Sequence, residues 1–375
     1  EGIATSIGHS PISALIDPKA GSRNAIGEAL SNIVFAPLKD GLKSVSLSAN
    51  WMWACKNEGE DARLYEAVEA CSEFAIELGI NIPTGKDSLS MKQKYADTEV
   101  IAPGTVIISA AGNCNEITKV VEPVFQKNAG SIYYINLSQD EFKLGGSSFA
   151  QIRNAIGKET PTIKNAAFFK KTFNAIQELI KNDEIAAGHD IGSGGLITTL
   201  LEMCFADNHL GAKLDFDSFE EKDVLKILFS ENIGIVLQAN DDNVFESFLK
   251  EENITFHKLG IVTASNNLAI GNYSLDIEKY RDTWFKTSYL LDQKQTKNGK
   301  AAARFVNYKN QTLQFQFPSH FKGKKPEIDA SKPRPKAAII REKGSNSERE
   351  MANAMFLAGF DVKDVHMTDL ISGRE

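Results

Sequence analysis

Strand-length apolar runs alternate with segments of helical apolar spacing from one end of this chain to the other, which leaves mixed α/β (α+β) architectures and little else. Ile26, Ala29, Leu30, Ile33 and Val34 recur at helical spacing and predict a helix over residues 22–35, with Asn24, Glu28 and Asn32 on the face opposite that stripe. A short strand is expected over 44–47, ending in Ser48-Ala49-Asn50-Trp51. A second helix is expected over 61–78, with Leu64, Tyr65, Val68, Cys71, Ala75 and Leu78 inward. Glu58, Glu60 and Asp61 sit at its start and Gly79 just past its end, as helix-end chemistry favours. The run 105–111 reads as a buried strand.

A chain of 375 residues has room for two or three domains. The pattern breaks after residue 115, so residues 1–115 and 116–292 are read as two α/β subdomains. The second is expected to hold strands at 131–137, 233–238, 258–263 and 268–270, and helices at 166–181, 196–206 and 277–291. Residues 293–334 are polar, carry Lys322, Lys324 and Lys325, and read as a linker or extended wrapping segment. From Lys336 a β-loop-α-β pattern begins: strand 337–340, turn 344–347, helix to 358, strand 361–365. Residues 335–375 therefore read as the truncated start of a doubly wound domain. With Glu1 in place of methionine and an end just after this opening, a fragment is expected.

Charge and cysteine usage narrow the function classes. Basic residues number 42 against 49 acidic ones, a net charge of −7, which argues against a general nucleic-acid binder. No apolar run approaches the roughly 18 residues of a membrane span, and no signal peptide is expected. Cys55, Cys71, Cys114 and Cys204 show neither CxxC nor zinc-ligand spacing and read as free thiols in a reducing, cytoplasmic compartment.

Three constellations could carry chemistry. Glu28 and Asn32, at i and i+4, project hard oxygen donors side by side, about 6 Å apart at Cβ, and suit Mg2+; a solvated helix face is the plain alternative. His189-Asp190 precedes Ile191-Gly192-Ser193-Gly194-Gly195 and a helix, which suits an anion with its metal, or simply a capped helix start. Gly145-Gly146-Ser147 carries the same ambiguity. Pro83-Thr84-Gly85-Lys86-Asp87-Ser88 resembles part of a phosphate loop without completing GxxxxGK[ST], and an ordinary turn competes with that reading. The six histidines form no recognisable nucleophilic triad.

The wording of longer segments is more specific than their chemistry. GSRNAIGEALSNI, LSANWMWACKNEGEDARLYEAV and IPTGKDSLSMK resemble the second amino-terminal-type subdomain of long-form phosphoribosylformylglycinamidine synthases. GHDIGSGGLITTLLEMCFA resembles the matching carboxy-terminal-type loop and helix, and RPKAAIIREKGSNSEREMANAMFLAGFDVKDVHMTDLISGR the start of their class I glutaminase domain. The resemblance implies two subdomains of the aminoimidazole-ribonucleotide-synthetase-like type and a purine-biosynthetic, ATP-dependent ligase using formylglycinamide ribonucleotide and glutamine. It implies that this chain is the second half of a pseudo-dimeric synthetase region, with an auxiliary, structural Mg2+–ATP/ADP site.

Carried over by position, Glu28, Asn32 and Asp190 would ligate the metal, while Gly192, Ser193, Gly145, Gly146 and Ser147 would meet the nucleotide. At Gly192 the family commonly has serine, which leaves only backbone contacts there. Asn50, Lys86, Asp87 and Ser88 would border the substrate cleft between the halves. No catalytic residue is expected in the chain: those of the first half and the glutaminase lie elsewhere, so the segment alone is expected to be inactive. The implied partners are the missing first half, the rest of the glutaminase, small-molecule substrates, and a second copy of the segment. The rivals are aminoimidazole ribonucleotide synthetase or another enzyme of the same ATP-dependent superfamily, and a non-catalytic nucleotide-binding scaffold.

Overall fold

The computed structural model describes residues 2–206, 209–310, 316, 318–320, 329 and 331–375, and the chain divides into two units, Glu1–Phe305 and Val306–Glu375. The first unit begins with β1 (Gly2–His9), α1 (Pro11–Ile16), α2 (Pro18–Ile33), β2 (Val45–Met52), α3 (Glu60–Leu78) and β3 (Asn81–Ser88). The small hairpin of β4 (Lys92–Lys94) and β5 (Glu99–Ile101) and then β6 (Thr105–Cys114) follow. A four-stranded sheet runs β1-β6-β2-β3, with β6 antiparallel to both neighbours and β2 parallel to β3. Residues 83–88 are thus an edge strand and not the expected turn, because β2 offers them a full row of backbone partners from Ser48↔Thr84 to Met52↔Ser88.

Asp17 caps α2 by accepting the Lys19 and Ala20 N–H groups, with Pro18 at the first helical position. The expected opposition of apolar stripe and solvent face does not hold for this helix. Ala25, Ile26, Ala29 and Leu30 are buried, but so are Ser22, Asn24 and Ser31, since α2 lies between its own sheet and a second packed layer. Close approach on the sheet side requires glycine: a Cβ on Gly8 would lie 2.1 Å from the Ala25 carbonyl oxygen. In α3 the inward face is Ala67, Ala70, Cys71, Phe74, Ala75 and Leu78, whereas Tyr65 and Val68 are 70% and 42% exposed. The sequence offers two neighbouring apolar stripes, and the one bearing small alanines is the one that can approach α2.

A seven-stranded sheet follows. Its elements are β7 (Ile132–Asn136), α4 (Ser148–Ile152), α5 (Ala166–Lys181), β8 (Ile185–Asp190), α6 (Gly195–Phe205), β9 (Gly211–Leu214), α7 (Val224–Phe229) and β10 (Gly234–Ala239). After them come α8 (Asp242–Glu251), β11 (His257–Thr263), β12 (Asn267–Ile270), β13 (Tyr273–Asp276), α9 (Ile277–Gln295) and α10 (Lys300–Asn307). The order is β13-β12-β9-β11-β7-β10-β8, antiparallel except between β12 and β9. Alternation along β7 and β10 separates two cores. Tyr133, Ile135, Ile235 and Leu237 join the core shared with α2, α3 and α5, while Ile132, Tyr134 and Val236 join Leu196, Leu200 and Met203 of α6.

Residues read as linker begin as helix. α9 runs on to Gln295, and in α10 Ala301 is buried while Phe305 stacks on Tyr289 with centroids 4.6 Å apart. Lys322, Lys324 and Lys325 lie outside the described residues. The second unit pairs β14 (Lys336–Arg341) in parallel with β15 (Asp361–His366), joined through α11 (Glu348–Leu357) and followed by α12 (Met367–Ile371), which His366 and Asp369 cap reciprocally. The mixed α/β expectation is met, in its α+β form for the first unit. Among the described residues no helix is long and apolar enough to cross a membrane.

Candidate functional site

A cleft of about 270 Å³ opens in the first unit where β1 ends, lined by His9, Glu28, Gly146, Gly192, Ser193 and Glu231 among others. Its floor is α2. The Glu28 carboxylate accepts the His9 backbone N–H at 2.7 Å. Burial raises the Glu28 pKa above the ordinary carboxylate value; the His9 N–H opposes this, and the Asp190 and Glu231 charges add to the rise. One turn further along α2, Asn32 Nδ2 donates to Asp190 Oδ1 at 3.2 Å.

Asp190 is the last residue of β8 and only 7% exposed. Its backbone oxygen accepts from Thr199 Oγ1 of α6 at 3.1 Å, which fixes the strand end against the helix. His189 Nδ1 lies 3.3 Å from Asp190 Oδ1, and its Nε2 lies 3.6 Å from Glu202 Oε2. Burial disfavours the imidazolium, but Asp190 and Glu202 outweigh it and raise the His189 pKa. Asn32, His189 and Asp190 do not line the cleft that holds Glu28 and the glycine turn; they border a separate cavity of about 360 Å³, walled largely by apolar groups such as Phe35, Ile117 and Val121.

The glycine turn 192–195 enters α6 with Gly194 at φ +95° and Gly195 at φ +73°, conformations that favour glycine. The Gly194 N–H donates to Glu231 Oε1 at 2.7 Å, and the Ser148 N–H donates to the same oxygen at 2.7 Å. A carboxylate of the chain itself thus takes up backbone donors that the sequence reading offered to phosphate. Gly146, Gly192 and Ser193 face the cleft. Gly145 does not; it packs so closely on Glu159 that a Cβ would come within 1.9 Å of that carbonyl oxygen. Ser147 is spent on the fold, capping α4 at Ala150 N–H and donating to Leu144 O.

Asn50, Lys86, Asp87 and Ser88 are not brought to this cleft. They sit on β2 and β3, with Asn50 opposite Lys86 and Trp51 opposite Asp87. Asn50, Lys86 and Ser88 share the sheet face away from the helices, where Lys86 Nζ bonds Ser88 Oγ, while Asp87 points to the other face. The register from β1 to β6 to β2 puts Ile3 and Ile7 on that same outer face, 74% and 60% exposed.

Sequence reasoning missed Glu231, Asn24 and the His9 N–H. An acidic residue just before β10 carries no local signature, since its donors lie 83 and 37 residues away. Helical spacing puts Asn24 on the polar face of its helix, yet it is buried and donates to the Pro161 carbonyl, 137 residues distant.

The Glu28 and Asp190 carboxylates are hard oxygen donors that suit Mg2+, whereas Asn32 turns its Nδ2 to Asp190 and would offer its oxygen only after a half-turn of the amide. Among the described residues no three His, Cys, Asp or Glu side chains form a metal cage, so a cation here would complete its shell with water and ligand oxygens, as Mg2+ commonly does.

Three family models match the chain in succession: the FGAR-AT PurM_N-like domain over residues 1–113, the C-terminal domain of AIR synthase related protein over 135–271, and the CobB/CobQ-like glutamine amidotransferase domain over 334–375. A probable phosphoribosylformylglycinamidine synthase of Arabidopsis thaliana, described as chloroplastic/mitochondrial, is 40% identical over 99% of this chain and 27% of its own length. The Homo sapiens phosphoribosylformylglycinamidine synthase is 36% identical over 99% of this chain and 29% of its own length. The chain therefore spans under a third of these relatives. Among solved structures, Thermotoga maritima PurL complexed with FGAR gives a TM-score of 0.57 at 14% identity, covering 74% of this chain and 46% of that one. T. maritima PurL complexed with ADP gives 0.52 at 13% identity, covering 96% and 51%.

Proposed function

The chain belongs to the phosphoribosylformylglycinamidine synthase family, and we propose that it is the second half of that enzyme's synthetase region followed by the opening of its glutaminase domain. The parent activity in this reading is ATP-dependent C–N ligation, turning formylglycinamide ribonucleotide and glutamine into formylglycinamidine ribonucleotide for purine biosynthesis. The cytoplasm is the proposed setting.

Within the segment, Glu28, Asn32 and Asp190 hold Mg2+ of an auxiliary ATP/ADP site, and Gly146, Gly192 and Ser193 approach the nucleotide through backbone and hydroxyl groups. When bound, the cation neutralises phosphate charge. Asp190 presents its carboxylate from a strand end locked by Thr199. The Asn32–Asp190 bond carries this reading, because it joins a donor pair from α2 to the glycine turn at the one strand end that leads into it. The site staples the subdomains and performs no chemistry, so the segment alone neither makes product nor hydrolyses glutamine.

The outer sheet face bearing Asn50, Lys86 and Ser88 beside exposed Ile3 and Ile7 supports a docking role toward the first half, where those polar groups would border the substrate cleft. A second copy of the segment would take the same face when the first half is absent.

Calorimetric titration of MgADP into the chain, beside a Glu28→Ala, Asn32→Ala double variant, tests the auxiliary site. Binding that disappears in the variant is expected. Equal binding by both, or by neither, removes the metal assignment.

A further inference from the structure

A third cavity of the first unit, of about 720 Å³, lies between residues 37–43, the end of β6 and α5, and shares no lining residue with the two described above. Its walls are pinned from inside the fold. Gln177 of α5, itself buried, accepts the Leu38 N–H at 2.8 Å and donates to the Val34 and Ala36 carbonyls. Asn174, one turn earlier, accepts the Leu42 N–H at 3.1 Å. The Lys39 N–H donates to the Asn113 carbonyl of β6 at 2.8 Å. Gly41 turns at φ +56°, where a Cβ would stand 2.6 Å from Asn174 Oδ1. The cavity is therefore held open by the backbone of the chain itself.

Five lysines line it, Lys39, Lys43, Lys119, Lys170 and Lys181, against the carboxylates of Asp40, Glu116 and Glu178. Two of the lysines are engaged. Lys119 Nζ meets Asp183 Oδ2 at 2.7 Å, and Lys181 Nζ lies 3.7 Å from Glu178 Oε2. Glu116 accepts from its own turn, from the Thr118 N–H at 3.3 Å and the Thr118 hydroxyl at 2.7 Å. Among the described residues, Lys39, Lys43 and Lys170 have neither an ion pair nor a side-chain hydrogen bond. Lys170 Nζ is held at the end of α3, 3.1 Å from where a Gly79 Cβ would stand. Three unpaired ammonium groups thus border one preformed cavity from two sides, the 37–43 segment and α5. Its volume falls within the roughly 300–1,000 Å³ of small-molecule sites. We propose that this cavity binds a small molecule bearing a diphosphate, whose charge spans Lys39, Lys43 and Lys170. A diphosphate spreads its charge over two groups and so can meet ammonium groups on both sides at once, which a lone phosphate cannot. This site lies apart from the auxiliary-site cleft, needs no metal, and does not depend on that reading.

Calorimetric titration of pyrophosphate into the chain, in metal-free buffer at low salt, tests the site. The expected result is saturable binding that weakens as salt is raised, with inorganic phosphate binding several-fold more weakly. Lys39→Gln, Lys43→Gln, Lys170→Gln together should weaken pyrophosphate binding about tenfold, with an unchanged urea midpoint. Lys39→Gln with Lys43→Gln, confined to exposed side chains, should move affinity in the same direction. A control variant removes the same charge elsewhere, at the exposed Lys56, Lys294 and Lys297, and should bind as the unaltered chain does. Absence of pyrophosphate binding to the unaltered chain overturns the inference. Equal weakening in the two triple variants also overturns it, since attraction would then be to lysines in general. Inorganic phosphate binding as tightly as pyrophosphate would overturn the diphosphate assignment.

Discussion

Asn32 Nδ2 donates to Asp190 Oδ1 at 3.2 Å, tying α2 to the end of β8 across 158 residues of chain. The amide presents its donor to the carboxylate; a cation between them would call for the amide oxygen, a half-turn of the same side chain. Asn32→Asp separates the two states. In chelator it puts two carboxylates in hydrogen-bond range and lowers stability by about 1–2 kcal/mol. Millimolar Mg2+ restores the loss. Thermal unfolding with and without Mg2+ checks this, and a variant indifferent to Mg2+ would contradict a cation at the pair.

Gly192 and Gly145 sit in the two loops of the cleft and should respond oppositely to a side chain. A Cβ on Gly192 meets nothing within 4 Å, so Gly192→Ser leaves the urea midpoint within about 0.5 kcal/mol of the parent. Where the nucleotide reading holds, the new hydroxyl tightens MgADP several-fold. Gly145→Ala drives a methyl into the Glu159 carbonyl and costs about 3 kcal/mol or more, measured by the same denaturation.

The legible parts of the chain are those whose pattern is local. Residues 166–181 were expected as helix and are helix over those same limits, because Phe169, Phe173, Ile176 and Ile180 keep a full apolar stripe. Sequence pattern does not mark β8 as a strand. Ile-Ala-Ala-Gly-His-Asp has weak strand preference, and its state is imposed by pairing with β10. The site divides in the same way. Helical spacing only sets Glu28 beside Asn32, and the glycine turn only marks Asp190; their reading as metal ligands comes from the family resemblance. The Glu231 bridge between two loops, and the burial of Asn24, exist only once the second layer is packed on α2.

A pH dependence of stability is built into the contact between β7 and α8. Asp242 accepts from Ser131 N–H at 2.7 Å, Ser131 Oγ at 2.6 Å and Lys258 Nζ at 2.8 Å. Burial alone would raise its carboxyl, but the Lys258 and Ser131 donors outweigh burial and hold the pKa at about 2. A depressed folded-state pKa means stability present above the unfolded value near 3.9 and lost as pH falls toward 2. Asp242→Asn should therefore cost about 1 kcal/mol at pH 7, the pair being partly solvent-screened. The gap between parent and variant should narrow as urea denaturation is repeated from pH 5 down to pH 3. A gap constant over that range would mean that charge is not what Asp242 contributes.

Phe74 of α3 and Phe169 of α5 join the two layers of the first unit, meeting edge to face with centroids 6.0 Å apart. Both are buried, at 2% and 0% exposure, in the core that also holds α2. Each Phe→Ala change removes a large side chain from a packed interior and should cost about 3–5 kcal/mol. Because each ring is the other's neighbour, the double variant should lose about 1 kcal/mol less than the sum of the singles. If the two layers instead unfold separately, the Phe74 change will lower only a first denaturation step and leave a second one in place. A single shared transition with measurable coupling would establish that α2, and with it Glu28 and Asn32, is held by both layers at once.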